Sequence, residues 1–180
     1  MISPFRVIKN VILLGARKIR YGSHYKTGFL QGYDKLHVEI HNKGSIHMGK
    51  YNQNRGNLHL IADGGNITIG DRCYFNTGCC VTALESVTIG NYCRLGNNMI
   101  LVDHDHRFDN VAGEHKGQEE YNTAPVSIGD FTWIGANSTI LKGATIGKNC
   151  VIAAGSVVRG NIPDGTILVQ KREDKWIEHH

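Results

Sequence analysis

The sequence predicts a mostly β protein, a left-handed parallel β-helix with a short N-terminal helix and one long inserted loop. Three observations predict it. An aliphatic residue recurs every six residues, glycine is frequent (22 of 180 residues) while proline is scarce (3), and one long segment interrupts the six-residue rhythm before it resumes. A period of six matches neither the α-helix nor a simple alternating strand. It instead predicts stacked coils that bury a continuous core.

The clearest repeat lies in the C-terminal half of the chain. Its aliphatic positions, six residues apart, are Ile128, Ile134, Ile140, Ile146, Ile152 and Val158. Small side chains stand four positions after the first five of them: Thr132, Ser138, Ala144, Cys150 and Ser156. We therefore expect a triangular solenoid with three short strands per coil. The runs Ile69, Phe75, Val81 and Ile89, Leu95, Leu101 keep the same period but are offset by two residues, which predicts a bulge around 84–87.

Four of the five cysteines are explained by the same repeat. They form no CxxC pair, so neither a zinc ribbon nor a disulfide framework is indicated, and a reducing compartment fits. Cys73, Cys79, Cys93 and Cys150 all fall in the small slot four residues after a stacked side chain. The pattern therefore predicts that these four are small core residues rather than nucleophiles or metal ligands.

The length favours one domain with three parts. We expect a helical or irregular N-terminal cap at 1–35, the β-helix at 36–163 with a loop at 102–125, and a tail at 164–180. The segment from Ile2 to Ile19 reads as a basic amphipathic helix, which either caps the solenoid or lies on anionic lipid. No apolar stretch approaches the roughly 20 residues of a membrane span, so a cytoplasmic protein is expected, possibly at the inner face of the membrane. The net charge of +4 is not gathered into a basic run, which argues against nucleic acid.

The chemistry is predicted in the loop that interrupts the repeat, VDHDHRFDNVAGEHKGQEEYNTAP, because long loops in compact domains tend to be functional. Around it stand the two-residue bulge before VTIG at 87–90, WIG at 133–135, and AGSVV at 154–158 followed by Ile162-Pro163. Over residues 67–163 these motifs resemble the hexapeptide-repeat acetyltransferases. Within that family they are most similar to the galactoside and maltose O-acetyltransferases and to enzymes that decorate capsule and O-antigen sugars.

The resemblance implies an enzyme that moves an acetyl group from acetyl-CoA to a sugar hydroxyl and works as a homotrimer. By the family's spacing of 17 residues from Ile89, His106 is expected to be the general base. Asn76, Trp133 and His104 are expected to bind the acceptor. The remaining implied contacts are those to acetyl-CoA along the C-terminal coils, namely Ala136, Ala154, Arg159 and Lys171. No metal is expected.

Acetyl transfer to a sugar requires little beyond a neutral imidazole as general base, because the sugar hydroxyl must lose its proton as it attacks a thioester. Asp103 and Asp105 flank the histidines and could orient a ring, but neighbours along a strand point to opposite sides and cannot both face His106. Three other interpretations stay open: an N-acyltransferase for a nucleotide-linked amino sugar, a non-catalytic solenoid, and a zinc carbonic anhydrase-like site made from His104, His106 and His115.

Overall fold

The computed structural model describes residues 4–107 and 121–171 of the chain. His115, the start of the predicted helix at Ile2 and most of the predicted tail lie outside these ranges. Three parallel sheets of seven, six and six strands share one axis, and an antiparallel pair of strands projects from them. The predicted fold is confirmed: a mostly β chain wound into a left-handed parallel β-helix, preceded by one helix.

The chain begins with a helix and enters the solenoid earlier than predicted. Helix α1 spans Pro4–Tyr21, and a short 3-10 helix, Gly22–His24, follows it. Strand β1 (Tyr25–Thr27) then pairs in parallel with β3 (Ser45–Met48). The first coil therefore starts at residue 25 rather than at the expected boundary of 36.

A complete coil contributes one strand to each of three sheets; among the described residues the first coil has no strand in sheet 2 and the last has none in sheet 3. Sheet 1 contains β1, β3, β6 (Asn66–Ile69), β9 (Ser86–Ile89), β14 (Val126–Ile128), β17 (Thr145–Ile146) and β20 (Asn161–Ile162). Sheet 2 contains β4 (Gln53–Asn54), β7 (Tyr74–Phe75), β10 (Arg94–Leu95), β15 (Trp133–Ile134), β18 (Val151–Ile152) and β21 (Ile167–Leu168). Sheet 3 contains β2 (Lys35–His41), β5 (Asn57–Asp63), β8 (Cys79–Ala83), β11 (Ile100–Val102), β16 (Thr139–Ile140) and β19 (Val157–Val158).

The predicted stack forms the core. Every aliphatic or aromatic residue of the predicted runs, from Ile69 to Val158, is at most 2% exposed. The early coils are longer than the later ones, because β2 and β5 have seven residues each while β16 and β19 have two. Ile46, Ile67 and Val87 stand in register at intervals of 21 and 20 residues, whereas Ile128 and Ile146 are 18 apart. These longer coils explain why the sequence repeat is blurred before Ile69.

The small slot behaves as predicted. Cys73, Cys79, Cys93 and Cys150 are at most 1% exposed, and their thiols lie against backbone carbonyl oxygens of the next coil. The Cys73 Sγ atom, for example, is 3.0 Å from the Gly90 oxygen. Burial raises the pKa of the Cys79 thiol to about 11. These side chains are packing residues.

Both ends of the stack are covered by side chains that satisfy exposed backbone groups. At the first end α1 lies along β2: Arg17 donates to the Leu36 oxygen, and the Tyr21 hydroxyl donates to the Val38 oxygen at 3.0 Å. At the other end the Gln170 amide pairs with the backbone N–H and C=O of Val157 at 2.9 and 2.7 Å. A β-helix needs such caps, since an open strand edge is a template for aggregation. Among the described helices, none has the length and apolarity to cross a membrane.

Candidate active site

A β-hairpin leaves the solenoid where sheet 3 meets sheet 1. Strand β12 (His104–His106) pairs antiparallel with β13 (Tyr121–Thr123), placing His104 opposite Thr123 and His106 opposite Tyr121. The base of the hairpin is closed by a hydrogen bond from the Ala124 N–H to the Asp103 oxygen, at 2.9 Å. The base of the hairpin is therefore fixed to the end of β11.

The Asp103 carboxylate lies inside the turn that makes the two-residue bulge. Its side chain is 0% exposed and accepts hydrogen bonds from the backbone N–H groups of Leu84, Glu85 and Ser86 at 2.7 to 3.1 Å. Three successive amides that converge on one carboxylate form a nest, an arrangement that stabilises negative charge. The bulge thus has a physical role: it creates the binding site for Asp103.

The same carboxylate holds the first histidine of the hairpin. The His104 Nδ1 atom is 3.1 Å from Asp103 Oδ1, and 17% of the histidine side chain is exposed. The Tyr121 ring meets the His104 ring edge-on at 5.3 Å between centroids. Because Asp103 is anchored by the backbone, it fixes both the position and the tautomer of this imidazole.

His106 has a different environment. Its side chain is exposed, and its ring packs at a tilt against Tyr121 with 4.8 Å between centroids. His104 and His106 therefore contact the same tyrosine, as expected of residues two apart on one strand. The hydrogen bond to Asp103 favours His104 as the oriented base, whereas the family spacing favours His106.

The opposite side of β12 carries an ion pair. Asp105 Oδ1 is 2.9 Å from the Lys142 Nζ atom, which comes from the next coil. This hydrogen bond holds the pKa of Asp105 below its usual value, with smaller contributions from Asn122 and Arg159. Of the two aspartates flanking His104, one orients the ring and the other ties the hairpin to the solenoid wall.

The predicted acceptor residue Asn76 lies on a different edge of the triangular prism. It follows β7 at the edge between sheets 2 and 3, is half-buried, and its Oδ1 atom accepts from the Thr77 N–H at 3.1 Å. The five-residue strand β8 separates this edge from the hairpin edge, about 16 Å at 3.3 Å per residue. One chain does not bring Asn76 and His104 together.

Most of the residues predicted to contact CoA lie on the same edge as Asn76. Ala136 and Ala154 occupy equivalent positions in successive coils, since the Gly155 N–H donates to the Ala136 oxygen at 2.7 Å. Backbones pack tightly here: a Cβ on Gly135 would lie 2.4 Å from the Ala154 nitrogen. Lys171 extends the edge at the end of the stack, and Trp133, 55% exposed, lies on the adjacent outer face of sheet 2.

Arg159 is the exception. It follows β19 at the edge between sheets 3 and 1, where Leu141 donates its N–H to the Val158 oxygen one residue earlier. Its charge is felt by Asp105, so it lies on the hairpin side. The predicted site residues are thus divided between two edges that border sheet 3.

The outer faces of sheets 1 and 3 differ in chemistry. The outward residues of sheet 1 from the third coil on are polar: Asn66, Thr68, Ser86, Thr88, Ser127, Thr145 and Asn161. The outward residues of β8, β11, β16 and β19 in sheet 3 are apolar or threonine: Cys80, Thr82, Ile100, Val102, Thr139 and Val157. Ile100 and Val157 are 44% and 47% exposed. This part of sheet 3 therefore presents an apolar face between the hairpin edge and the Asn76 edge.

Other features lie away from the hairpin. A cavity of about 500 Å³ lies between α1 and the first strands of sheet 3, lined by Arg17, Tyr33, His37 and His59 among others. Within residues 4–107 and 121–171, no group of three or more His, Cys, Asp and Glu side chains is placed to hold a metal. His115 of the zinc alternative lies outside those residues.

Two contacts were missed by sequence reasoning. The sequence allows Asp103 or Asp105 to orient a histidine ring without indicating which ring, and the structure pairs Asp103 with His104; the signal was its place directly after a stacked strand, level with the bulge. Lys142 was not considered, because its distance from Asp105 in the sequence gives no hint that the next coil brings them together.

Comparison with known families supports the repeat. Residues 125–160 match the family described as "Bacterial transferase hexapeptide (six repeats)". Residues 66–102 match "Hexapeptide repeat of succinyl-transferase".

Three curated relatives are similar to this chain in sequence. "Putative lipopolysaccharide biosynthesis O-acetyl transferase WbbJ" of Escherichia coli K12 is 33% identical over 136 residues, 72% of this chain and 69% of the relative. "Probable acetyltransferase Rv3034c" of Mycobacterium tuberculosis is 34% identical over 124 residues, 69% of this chain and 39% of the relative. "Galactoside O-acetyltransferase" of E. coli K12 is 36% identical over 104 residues, 58% of this chain and 50% of the relative. The chain thus spans between 39% and 69% of these relatives.

Solved structures share the fold. A hexapeptide-repeat-containing acetyltransferase of Vibrio cholerae in complex with acetyl coenzyme A is 20% identical, with a TM-score of 0.56, and the match covers 92% of this chain and 84% of the other. AntD, an N-acyltransferase of Bacillus cereus in complex with dTDP and 3-hydroxybutyryl-CoA, is 20% identical with a TM-score of 0.63, covering 85% and 80%. At this identity the likeness establishes the fold alone.

Proposed function

Since the chain belongs to the hexapeptide-repeat acetyltransferase family, we propose that it transfers an acetyl group from acetyl-CoA to a hydroxyl of a sugar or saccharide precursor, with His104 as general base. The observation that carries the proposal is the hydrogen bond from the His104 imidazole to a buried carboxylate that three backbone amides hold in place. The likeness to two O-acetyltransferases, one of them named for lipopolysaccharide biosynthesis, supports a saccharide acceptor.

The geometry suits proton transfer. With Nδ1–H directed at Asp103, the Nε2 atom of His104 carries the free lone pair. Nε2 removes the proton of the acceptor hydroxyl as its oxygen attacks the thioester carbonyl carbon. When the carbon–sulfur bond breaks, the protonated ring returns that proton to the departing sulfur. Asp103 stabilises the charged ring in between, and no covalent bond to the protein forms.

The edge that carries Asn76 suits an extended pantetheine chain. Its successive positions Ala136 and Ala154 have the smallest side chains that still contain a Cβ, and both are at least partly exposed. Trp133 offers an exposed ring beside it, and Lys171 a cation for a phosphate. Arg159, on the hairpin edge, would reach the same nucleotide only from a neighbouring chain.

We propose that three copies of the chain complete the site around a three-fold axis. The hairpin edge of one chain would then meet the Asn76 edge of the next, which requires the face between them, sheet 3, to point inward. The apolar outer residues of sheet 3 fit that placement, while the Ser, Thr and Asn residues of sheet 1 fit contact with water. Closed cyclic symmetry uses the same pair of edges three times.

An amine acceptor is the second candidate. The likeness to AntD, named as an N-acyltransferase, motivates it, and His104 could equally take a proton from the nitrogen of a neutral amine as that nitrogen attacks the thioester carbon. The two candidates differ in the product bond, since an ester is cleaved by mild base and an amide is not.

The experiment is an acetyl-CoA turnover screen that follows thiol release with free sugars, nucleotide sugars, amino sugars and lipid-linked saccharides. Transfer to a hydroxyl, confirmed by a base-labile acetyl group, supports the proposal. Transfer to amines alone would replace it with the second candidate, and absence of any acetyl transfer by wild type across all four classes would contradict both.

A further inference from the structure

Helix α1 uses its polar side to bind the solenoid. Asn10, only 3% exposed, donates from its side-chain amide to the Tyr33 oxygen at 2.8 Å, and Arg17 donates to the Leu36 oxygen. Leu14 is the one buried aliphatic residue of the helix. An amphipathic helix that only capped the core would do the reverse and bury its apolar stripe.

The apolar side of α1 faces away from the protein. At 3.6 residues per turn its members fall within an arc of about 120°. This exposed apolar face consists of Phe5, Ile8, Val11, Ile12 and Ile19, which are 78%, 63%, 65%, 67% and 89% exposed. Five large apolar side chains on one exposed helical face form a contiguous patch rather than scattered surface residues, and such patches mark interaction sites.

The charges around this face are of one sign. The helix contains five basic residues, Arg6, Lys9, Arg17, Lys18 and Arg20, and no Asp or Glu. On the same helical projection Lys18 lies about 20° beyond one border of the apolar face and Lys9 about 40° beyond the other. Both lysines are exposed. Lys18 can let its stem follow the apolar surface while its ammonium group reaches outward, whereas the Lys9 Nζ atom donates to the Asp34 backbone oxygen at 3.4 Å and leaves that contact when it reaches outward.

We infer that α1 is an interfacial helix whose apolar face inserts into the surface of an anionic lipid bilayer. A peptide groove would take the apolar residues equally well, but it gives no reason for two flanking lysines and a complete lack of acidic side chains. Anionic headgroups give that reason, because each nearby cation adds electrostatic attraction at the membrane surface.

The position of the helix in the fold fits a surface that rests on a membrane. α1 covers the first end of the stack, along β2, which is the outermost strand of sheet 3. If the proposed trimer forms, its three helices lie at the same end and face the same way, so three weak contacts act together.

This placement also sets the distance between the membrane surface and the proposed active site. Strand β11, at the root of the hairpin, is three strand spacings from β2, about 14 Å at 4.8 Å per spacing. His104 would then lie on the order of 15 Å above the helix. That height suits an acceptor hydroxyl a few sugar units away from a lipid anchor; this consequence and the joint action of three helices rest on the proposed function.

The test is sedimentation of the full chain with vesicles of phosphatidylcholine alone and of phosphatidylcholine with roughly 30% phosphatidylglycerol. We expect binding to the anionic vesicles at least tenfold tighter than to the neutral ones, and weaker as salt is raised. The double variant Ile8→Ser, Ile12→Ser should lose at least tenfold in affinity, and Lys9→Glu, Lys18→Glu should lose the preference for anionic lipid.

The matched control is Ile167→Ser, which removes an apolar residue 70% exposed at the other end of the stack and should leave vesicle binding unchanged. Circular dichroism and thiol release with a water-soluble acceptor should be the same for the vesicle-binding variants and wild type. Wild-type protein that ignores anionic vesicles would overturn the inference. So would light scattering that finds trimers paired through α1, with Ile8→Ser, Ile12→Ser separating them, since a second copy would then cover the face.

Discussion

His104 Nδ1 lies 3.1 Å from Asp103 Oδ1, and the two side chains differ sharply in exposure, 17% for the histidine and 0% for the aspartate. The carboxylate faces the turn at 84–86 on one side and the imidazole on the other. The bulge, the aspartate and the histidine therefore form one unit. The backbone of one coil holds Asp103, and Asp103 orients the His104 ring on the hairpin that extends from the next coil.

The first prediction separates the two histidines. His104→Ala should lose on the order of 100- to 10,000-fold in kcat, because proton transfer is removed while binding survives. His106→Ala should lose roughly tenfold or less, since its ring is exposed and packs only against Tyr121 among the contacts described. Steady-state thiol release measures both, with CoA affinity and trimer formation as controls. If His106→Ala is the inactive variant, the family spacing identifies the base and the hydrogen bond to Asp103 does not.

Asp103→Asn should affect both stability and turnover. An amide group cannot accept all of the backbone N–H groups that the carboxylate accepts, and each buried donor left unpaired costs about 1–3 kcal/mol. We expect the free energy of unfolding to fall by about 2–3 kcal/mol in urea titration. We also expect kcat to fall with little change in KM, because the imidazole loses its orientation.

Asp130→Asn provides the matched control for that variant. Asp130 Oδ1 also accepts a backbone N–H, from Asn91 at 2.6 Å, but it orients no histidine among the described residues. It should lose stability and keep its kcat. Equal losses of kcat in the two variants would mean that Asp103 acts only through folding.

Sheet 3 should carry the subunit interface. Ile100→Lys places a charge in the middle of its apolar outer face and should give folded monomers with little activity, because each site then lacks the neighbouring edge. Thr88→Lys, on the polar outer face of sheet 1, should stay trimeric. Light scattering together with circular dichroism distinguishes the two, and a trimeric, active Ile100→Lys protein would place the interface elsewhere.

Alkaline pH should weaken the fold through Cys79. Burial raises its pKa from 9.0 to about 11, so the unfolded chain releases this proton at lower pH than the folded chain does. The contribution of this thiol to the free energy of unfolding is therefore complete below pH 9. Between pH 9 and pH 11 the free energy of unfolding falls by about 3 kcal/mol because of this group. Urea titrations at both pH values should show a smaller decrease in Cys79→Ala than in wild type. An identical decrease in both proteins would exclude Cys79 as the cause.

Sequence reasoning succeeded where structure is periodic. The six-residue spacing predicted every stacked residue from Ile128 to Val158 and the burial of four cysteines, because each coil meets the same neighbours at the same interval. It was weaker for the site. The family spacing predicts His106, whereas the ring that is oriented depends on the Asp103 carboxylate, which accepts hydrogen bonds from the backbone N–H groups at 84–86 and pairs with His104. The distance between Asn76 and the hairpin likewise follows from the three-sided cross-section, which a one-dimensional pattern does not contain.

The amides of Leu84, Glu85 and Ser86 donate to a carboxylate on another coil rather than to a strand ladder. Their protection from hydrogen exchange consequently depends on Asp103 staying in place, whereas neighbouring amides in β8 and β9 are protected by the solenoid itself. Exchange at these three positions therefore reports local opening of the hairpin root. Compared with exchange in the flanking strands, it measures how often the hairpin detaches from a solenoid that stays folded.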